Sequence, residues 1–143
     1  MDWSWEREQQ PRWDSDKRRI VGGAPQGIFD SRYAESQDGA TLPGEWWRVE
    51  RDGDVVGYGW LEQVWGDGEI LLATDTQQQG HGIGTFIVEQ LDKEAARRGL
   101  NYVCNIVRPT HPDSEAVVAW LSKRGFQSKG DGRLVRRTGV AGT

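Results

Sequence analysis

The eleven residues Asp75-Thr-Gln-Gln-Gln-Gly-His-Gly-Ile-Gly-Thr85 constrain this chain more than any other stretch, because of what flanks them. Before them runs Glu69 to Thr74 (Glu-Ile-Leu-Leu-Ala-Thr), a strand-like segment. After them Ile83, Phe86, Ile87, Leu91 and Ala95 recur at steps of three and four, the one-faced pattern of an amphipathic helix. The loop therefore enters a helix N-terminus, where unpaired N–H groups and the helix dipole attract an anion. Glycines at 80, 82 and 84 let phosphate oxygens reach the backbone without meeting a Cβ. On the glycines alone, a phosphate site and a tight strand-to-helix turn stand equal. A Walker loop is excluded, since Gly84 is followed by Thr85 with no lysine. A dinucleotide fingerprint fits poorly: position 85 is threonine, and a meander precedes the loop where a βαβ opening is required.

The surrounding elements follow from turn chemistry. Trp46 to Arg51 and Val55 to Leu61 read as antiparallel strands joined at Asp52-Gly53-Asp54, and Trp65-Gly66-Asp67-Gly68 turns the chain into Glu69 to Thr74. Arg97, Arg98 and Gly99 end the long helix, and Leu100 to Val107 is a further strand, so the strand–helix–strand unit predicts a right-handed parallel crossover. Ser114 to Arg124 is a second helix with Val117, Val118, Trp120 and Leu121 on its buried side, ended again by Lys-Arg-Gly. Phe126 to Lys129 and Arg133 to Arg137 are short terminal strands. Upstream, Trp13 to Val21 predicts a helix with Asp14 or Ser15 near its cap, and Ile28 to Glu35 a short irregular or helical piece. Residues 1–12 give no clear element. The expected architecture is α/β (α+β): one domain over 1–143, a mixed central sheet flanked by helices, with 1–12 and 138–143 irregular.

A chain of 143 residues can build one core without disulfides or a structural metal. Eighteen basic and 22 acidic residues give a net charge of -4, which argues against a nucleic-acid surface. No window approaches the ~20 apolar residues of a membrane span, and Met1-Asp-Trp-Ser-Trp-Glu is not a secretory signal. With one cysteine, Cys104, the expectation is a cytoplasmic protein. Eight tryptophans are an unusual load. Most are expected in the core, whereas Trp3, Trp5 and Trp13, set among charges, are equally suited to covering a homodimer or protein-partner surface.

Gln79-Gly80-His81-Gly82-Ile83-Gly84, the apolar helix after it and the Lys-Arg-Gly-Phe126 ending together resemble the acyl-CoA signature of the GNAT superfamily of N-acetyltransferases, over about Val55 to Phe126. The resemblance implies a splayed pair of parallel strands, Glu69 to Thr74 and Leu100 to Val107, with the thioester of acetyl-CoA (coenzyme A) in the gap. It implies a pyrophosphate on the amides of Gln79, Gly80, His81, Gly82, Ile83 and Gly84, with the Thr85 hydroxyl nearby. The pantetheine arm would pair with Leu72, Ala73 and Thr74 as an added strand. Ser114 falls where many members carry a CoA-contacting asparagine.

The reaction so implied transfers an acetyl group to a primary amine of a small molecule or peptide. A base must take a proton from the amine, and the leaving thiolate gains from an acid. Glu69 is the first candidate for the base and Glu62 the second. Many family members have a tyrosine acid where this chain has Leu121; His111, Tyr102 or water would substitute. Cys104 as an acyl-carrying nucleophile ranks well below direct transfer. The acidic residues Glu35, Asp38 and Glu45 suit either a cationic amine or a solvated loop. The alternative is a sensor or complex subunit that keeps the acyl-CoA fold with little catalysis.

Overall fold

The computed structural model describes residues 3–21, 39–42, 44–75, 82–107 and 114–139. Its elements in chain order are β1 (Ser4–Arg7), α1 (Ser15–Ile20), β2 (Glu45–Arg51), β3 (Asp54–Val64), β4 (Asp67–Thr74), α2 (Ile83–Arg97), β5 (Tyr102–Ile106), α3 (Ser114–Ser122), β6 (Gln127–Ser128) and β7 (Arg133–Arg137). The strands form one seven-stranded sheet in the order β1-β2-β3-β4-β5-β7-β6, antiparallel except for the pair β4–β5. The expected mixed sheet and parallel crossover are both present. The piece expected at Ile28 to Glu35 lies outside the described residues.

Both hairpins close as the turn residues require. Asp52 and Gly53 have φ of 53° and 85°, Trp65 and Gly66 of 51° and 85°, the positive pairs whose twist matches the flanking strands. Helix α2 ends on a left-handed Gly99 (φ 74°), with Leu100 N–H on the Ala95 carbonyl and Gly99 N–H on that of Ala96. The end of α3 repeats this double bond: Phe126 N–H reaches the Leu121 carbonyl and Gly125 N–H that of Ser122. These are Schellman closures, which satisfy carbonyls a helix end otherwise leaves open.

Each face of the sheet is buried by different elements. On one face α2 and α3 cover Trp47, Val49, Leu61, Ile70, Leu72, Val103 and Leu134. On the other, Trp13, Ile20 and Val21, around α1, pack on Trp46, Tyr58, Trp60, Leu71 and Ala73. A six-residue helix has little stability of its own. Tertiary contacts hold α1: the Asp14 carboxylate caps it by accepting from Lys17 N–H at 2.8 Å. The buried Lys17 ammonium lies 2.7 Å from Glu8 and over the rings of Trp46 and Tyr58.

Two expectations change. The helix starts at Ser15, after Trp13, whose N–H and C=O are taken by Ala40 and Gly39. The N-terminal segment, unassigned from sequence, is strand β1 on the edge of β2. Its tryptophans pack on the chain's own core. Trp13 is buried, Trp5 stacks on Trp47 at 5.6 Å, and Trp3 meets Phe86 at 5.4 Å. A Cβ at Gly59 would come within 2.7 Å of the Trp5 ring, so that glycine makes room for it. Among the described residues no helix is long and apolar enough to cross a membrane.

Candidate functional site

The parallel pair is short. Gly68 opposes Val103 and Glu69 opposes Cys104, and the ladder goes no further. From Ile70 to Thr74 the edge of β4 that faces β5 has no strand partner among the described residues. One side chain crosses the gap: Asn105, 0 % exposed, donates its Nδ2 to the Ile70 carbonyl at 2.8 Å. Its Oδ1 is buried without a hydrogen-bond partner among the described residues. A polar acceptor so placed has lost its water and waits for a donor. Leu72 and Ala73 face opposite cores and Thr74 is half-buried, so a ligand on this edge would meet their backbone.

At the far end of β4 the chain passes to α2. Gly82 precedes the helix with φ of 84°, a left-handed value that favours glycine. Among the described residues no side chain caps this end, and no acidic residue lies in its first turn. The first intrahelical bond runs from Phe86 N–H to the Gly82 carbonyl, so the amides of Ile83, Gly84 and Thr85 precede the helical ladder. Gly84 has a role the sequence did not reveal. A Cβ there would lie 2.8 Å from the Trp120 ring, so its glycine admits an indole as well as any anion. The Thr85 hydroxyl accepts from Arg124 Nε at 2.9 Å. Ser114 opens α3, half-buried. Gln79, Gly80 and His81 lie outside the described residues.

The candidate proton carriers gather where β4 and β5 still touch. Glu62 opposes Glu69 across β3–β4, and Glu69 opposes Cys104 across β4–β5, which sets three side chains abreast on the face away from α2. Tyr102 shares that face by strand alternation and is 41 % exposed. Burial, with Glu69 and Asp67 nearby, pushes the Cys104 thiol up to about 11. His111 is outside the described residues. Glu45 is engaged elsewhere, by Arg98 and Arg7.

The acyltransferase family model described as "Acetyltransferase (GNAT) family" matches residues 3–126. The chain belongs to the GNAT acetyltransferase family. Solved structures agree on the fold. The ribosomal-protein-S18-alanine N-acetyltransferase of Escherichia coli aligns at 16% identity and TM-score 0.62, over 99% of this chain and 97% of that one. The PaiA N-acetyltransferase of Thermoplasma acidophilum, solved with coenzyme A, aligns at 14% identity and TM-score 0.55 over 64% of this chain. This chain spans 59% of that protein's length. The N-acetylglutamate synthase of Neisseria gonorrhoeae, solved with coenzyme A and L-arginine, aligns at 21% identity and TM-score 0.61, over 94% of this chain and 33% of that one. Comparison with curated proteins returns no match.

Within this GNAT frame, the position where many members carry a tyrosine acid is sealed: Leu121 is 0 % exposed, packed in the helix-side core. Two residues of the site escaped the sequence reading. Asn105 sits in an apolar run, Tyr-Val-Cys-Asn-Ile-Val, and that one interior polar residue was the available signal. Arg124 read only as a cation at a helix end, and nothing in the sequence linked it to Thr85, 39 positions earlier.

Proposed function

We propose that the chain is an N-acetyltransferase that binds acetyl-CoA and acetylates a primary amine of a small molecule or peptide by direct attack. The observation that carries this reading is the break in the parallel ladder after Glu69 and Cys104, at the foot of a β4 edge that leads to the uncapped start of α2. A pantetheine arm fits that edge as an added strand, and a pyrophosphate fits the amides of Ile83, Gly84 and Thr85 together with the preceding residues of the motif. The open Oδ1 of Asn105 is placed to accept an N–H from a ligand in the gap. Bound there, the cofactor supplies an activated acetyl group and a thiolate leaving group.

The chain's own residues then have defined tasks. Glu69 takes a proton from the attacking amine, directly or through water, with Glu62 beside it as the second carboxylate on that face. Tyr102, on the same face by strand alternation, His111 or water returns the thiolate's proton. Cys104 stays protonated at neutral pH and does not carry the acyl group. The acceptor amine attacks the thioester carbonyl, the C–N bond forms as the C–S bond breaks, and the thiolate gains a proton. A cytoplasmic setting fits the lone cysteine.

The test is turnover. Incubated with acetyl-CoA and a broad panel of amines, the protein should release free thiol with at least one of them, and Glu69→Gln should lower kcat by about 10²–10⁴-fold, the usual worth of a positioned base. Tight acetyl-CoA binding without transfer, unchanged by Glu69→Gln, would instead support an acyl-CoA sensor. The sealed Leu121 position is the observation that favours that second reading.

A further inference from the structure

Arg124 is the cap residue of α3, and the left-handed Gly125 after it turns the chain so that the arginine folds back over its own helix. Its guanidinium lies 3.6 Å from the centre of the Trp120 ring. Nη1 donates to the Trp120 carbonyl at 2.8 Å, and Nε to the Thr85 hydroxyl at 2.9 Å. Trp120 in turn packs on Gly84. A planar cation is thus fixed against the first turn of α2 by three contacts, and two of its five N–H donors are used.

What it lacks among the described residues is an anion. The guanidinia of Arg48, Arg98 and Arg136, half-buried or buried, each face carboxylates: Glu6, Glu8 and Glu50 for the first, Glu45 for the second, Asp92 and Glu89 for the third. Arg124 is half-buried, yet no carboxylate pairs with it among the described residues. Desolvation pulls its pKa below the ordinary guanidinium value, with no opposing charge to restore it. A partly dehydrated cation held rigid without a counter-charge is costly unless a ligand provides one. The neighbouring helix end has the same polarity: its first turn has no acid and, among the described residues, no side-chain cap. The motif loop itself, Asp75 to Thr85, contains neither lysine nor arginine.

We propose that Arg124 is a phosphate-binding residue of the cofactor site, supplying from the end of α3 the fixed positive charge that the glycine loop does not contain. The proposal rests on the acetyl-CoA reading above. Arginine suits the task because its fork can engage two phosphate oxygens while its face stays stacked on Trp120. Thr85, held by Nε, keeps its hydroxyl proton free to donate to the same phosphate.

Titration calorimetry of CoA and of 3′-dephospho-CoA into the wild type, Arg124→Gln and Arg124→Lys, with melting temperatures recorded for each, tests this. Arg124→Gln is expected to bind CoA about tenfold to a hundredfold more weakly, the worth of a hydrogen-bonded charge. Arg124→Lys should recover part of the loss, and the affinity of Arg124→Gln should fall less steeply with salt than that of the wild type. A loss of equal size with 3′-dephospho-CoA assigns the contact to the pyrophosphate; a loss seen only with CoA assigns it to the 3′-phosphate. CoA affinity unchanged in Arg124→Gln overturns the proposal, as does a loss that merely tracks a fall in melting temperature and is not eased by lysine. If the wild type itself binds neither compound, the cofactor reading falls and this proposal with it.

Discussion

Among single residues, Cys104 shows how neighbours decide chemistry. It stands beside Glu69, in a row with Glu62, and burial, with Glu69 and Asp67 nearby, raises its thiol from 9.0 to about 11. At pH 8 the thiolate fraction is then about one in a thousand against about one in ten for the unshifted group, so iodoacetamide should modify the native protein roughly a hundredfold more slowly than the unfolded chain. The folded state holds this proton longer than the unfolded state. The thiol's contribution to stability is therefore intact below pH 9 and lost as pH rises from 9 to 11. Rapid alkylation of native Cys104 at pH 8 would contradict this and reopen an acyl-cysteine route. Asn105 works in the opposite sense, since its buried amide ties Ile70 across the gap while its oxygen stays open to a ligand.

Among elements, the start of α2 depends on α3. Gly84→Ala places a methyl 2.8 Å from the Trp120 ring, and an indole has no flexible end to move aside. Overpacking of this kind costs about 1–3 kcal/mol, against about 1 kcal/mol gained from alanine's helix propensity, so a net loss of about 1 kcal/mol is expected. Urea denaturation would read it, and calorimetry should show weaker CoA binding, because Trp120 also supports Arg124. Unchanged stability and affinity would mean that Trp120 is not fixed there. The ends of both helices were legible in Arg-Gly because a left-handed glycine is a local requirement. The partner of Gly84 was not, because it comes from a helix more than thirty positions later. Strand β1 was illegible for a related reason: the four residues Ser-Trp-Glu-Arg acquire meaning only beside β2 and the room left by Gly59.

At the scale of the molecule, the meander β2-β3-β4 and the antiparallel group β5-β7-β6 share two rungs, Gly68 with Val103 and Glu69 with Cys104. Other contacts tie these halves together. Arg136 on β7 reaches Asp92 and Glu89 on α2 and the Arg124 carbonyl at the end of α3, while Thr138 bonds the Leu100 and Asn101 carbonyls. The helices hold the sheet together where its ladder parts. The family resemblance anticipated this splay from the glycine motif and its flanks. Local pattern did not anticipate Asn105, which crosses the gap, or Arg124, which lies against the start of α2, because their partners are distant in sequence. The most direct test is a crystal structure of the protein with CoA. The account predicts the pantetheine along Ile70 to Thr74, the sulfur between β4 and β5 near Glu69, and the pyrophosphate at the amides of Ile83, Gly84 and Thr85. Density for CoA elsewhere on the surface, with the gap closed by side chains, would contradict it.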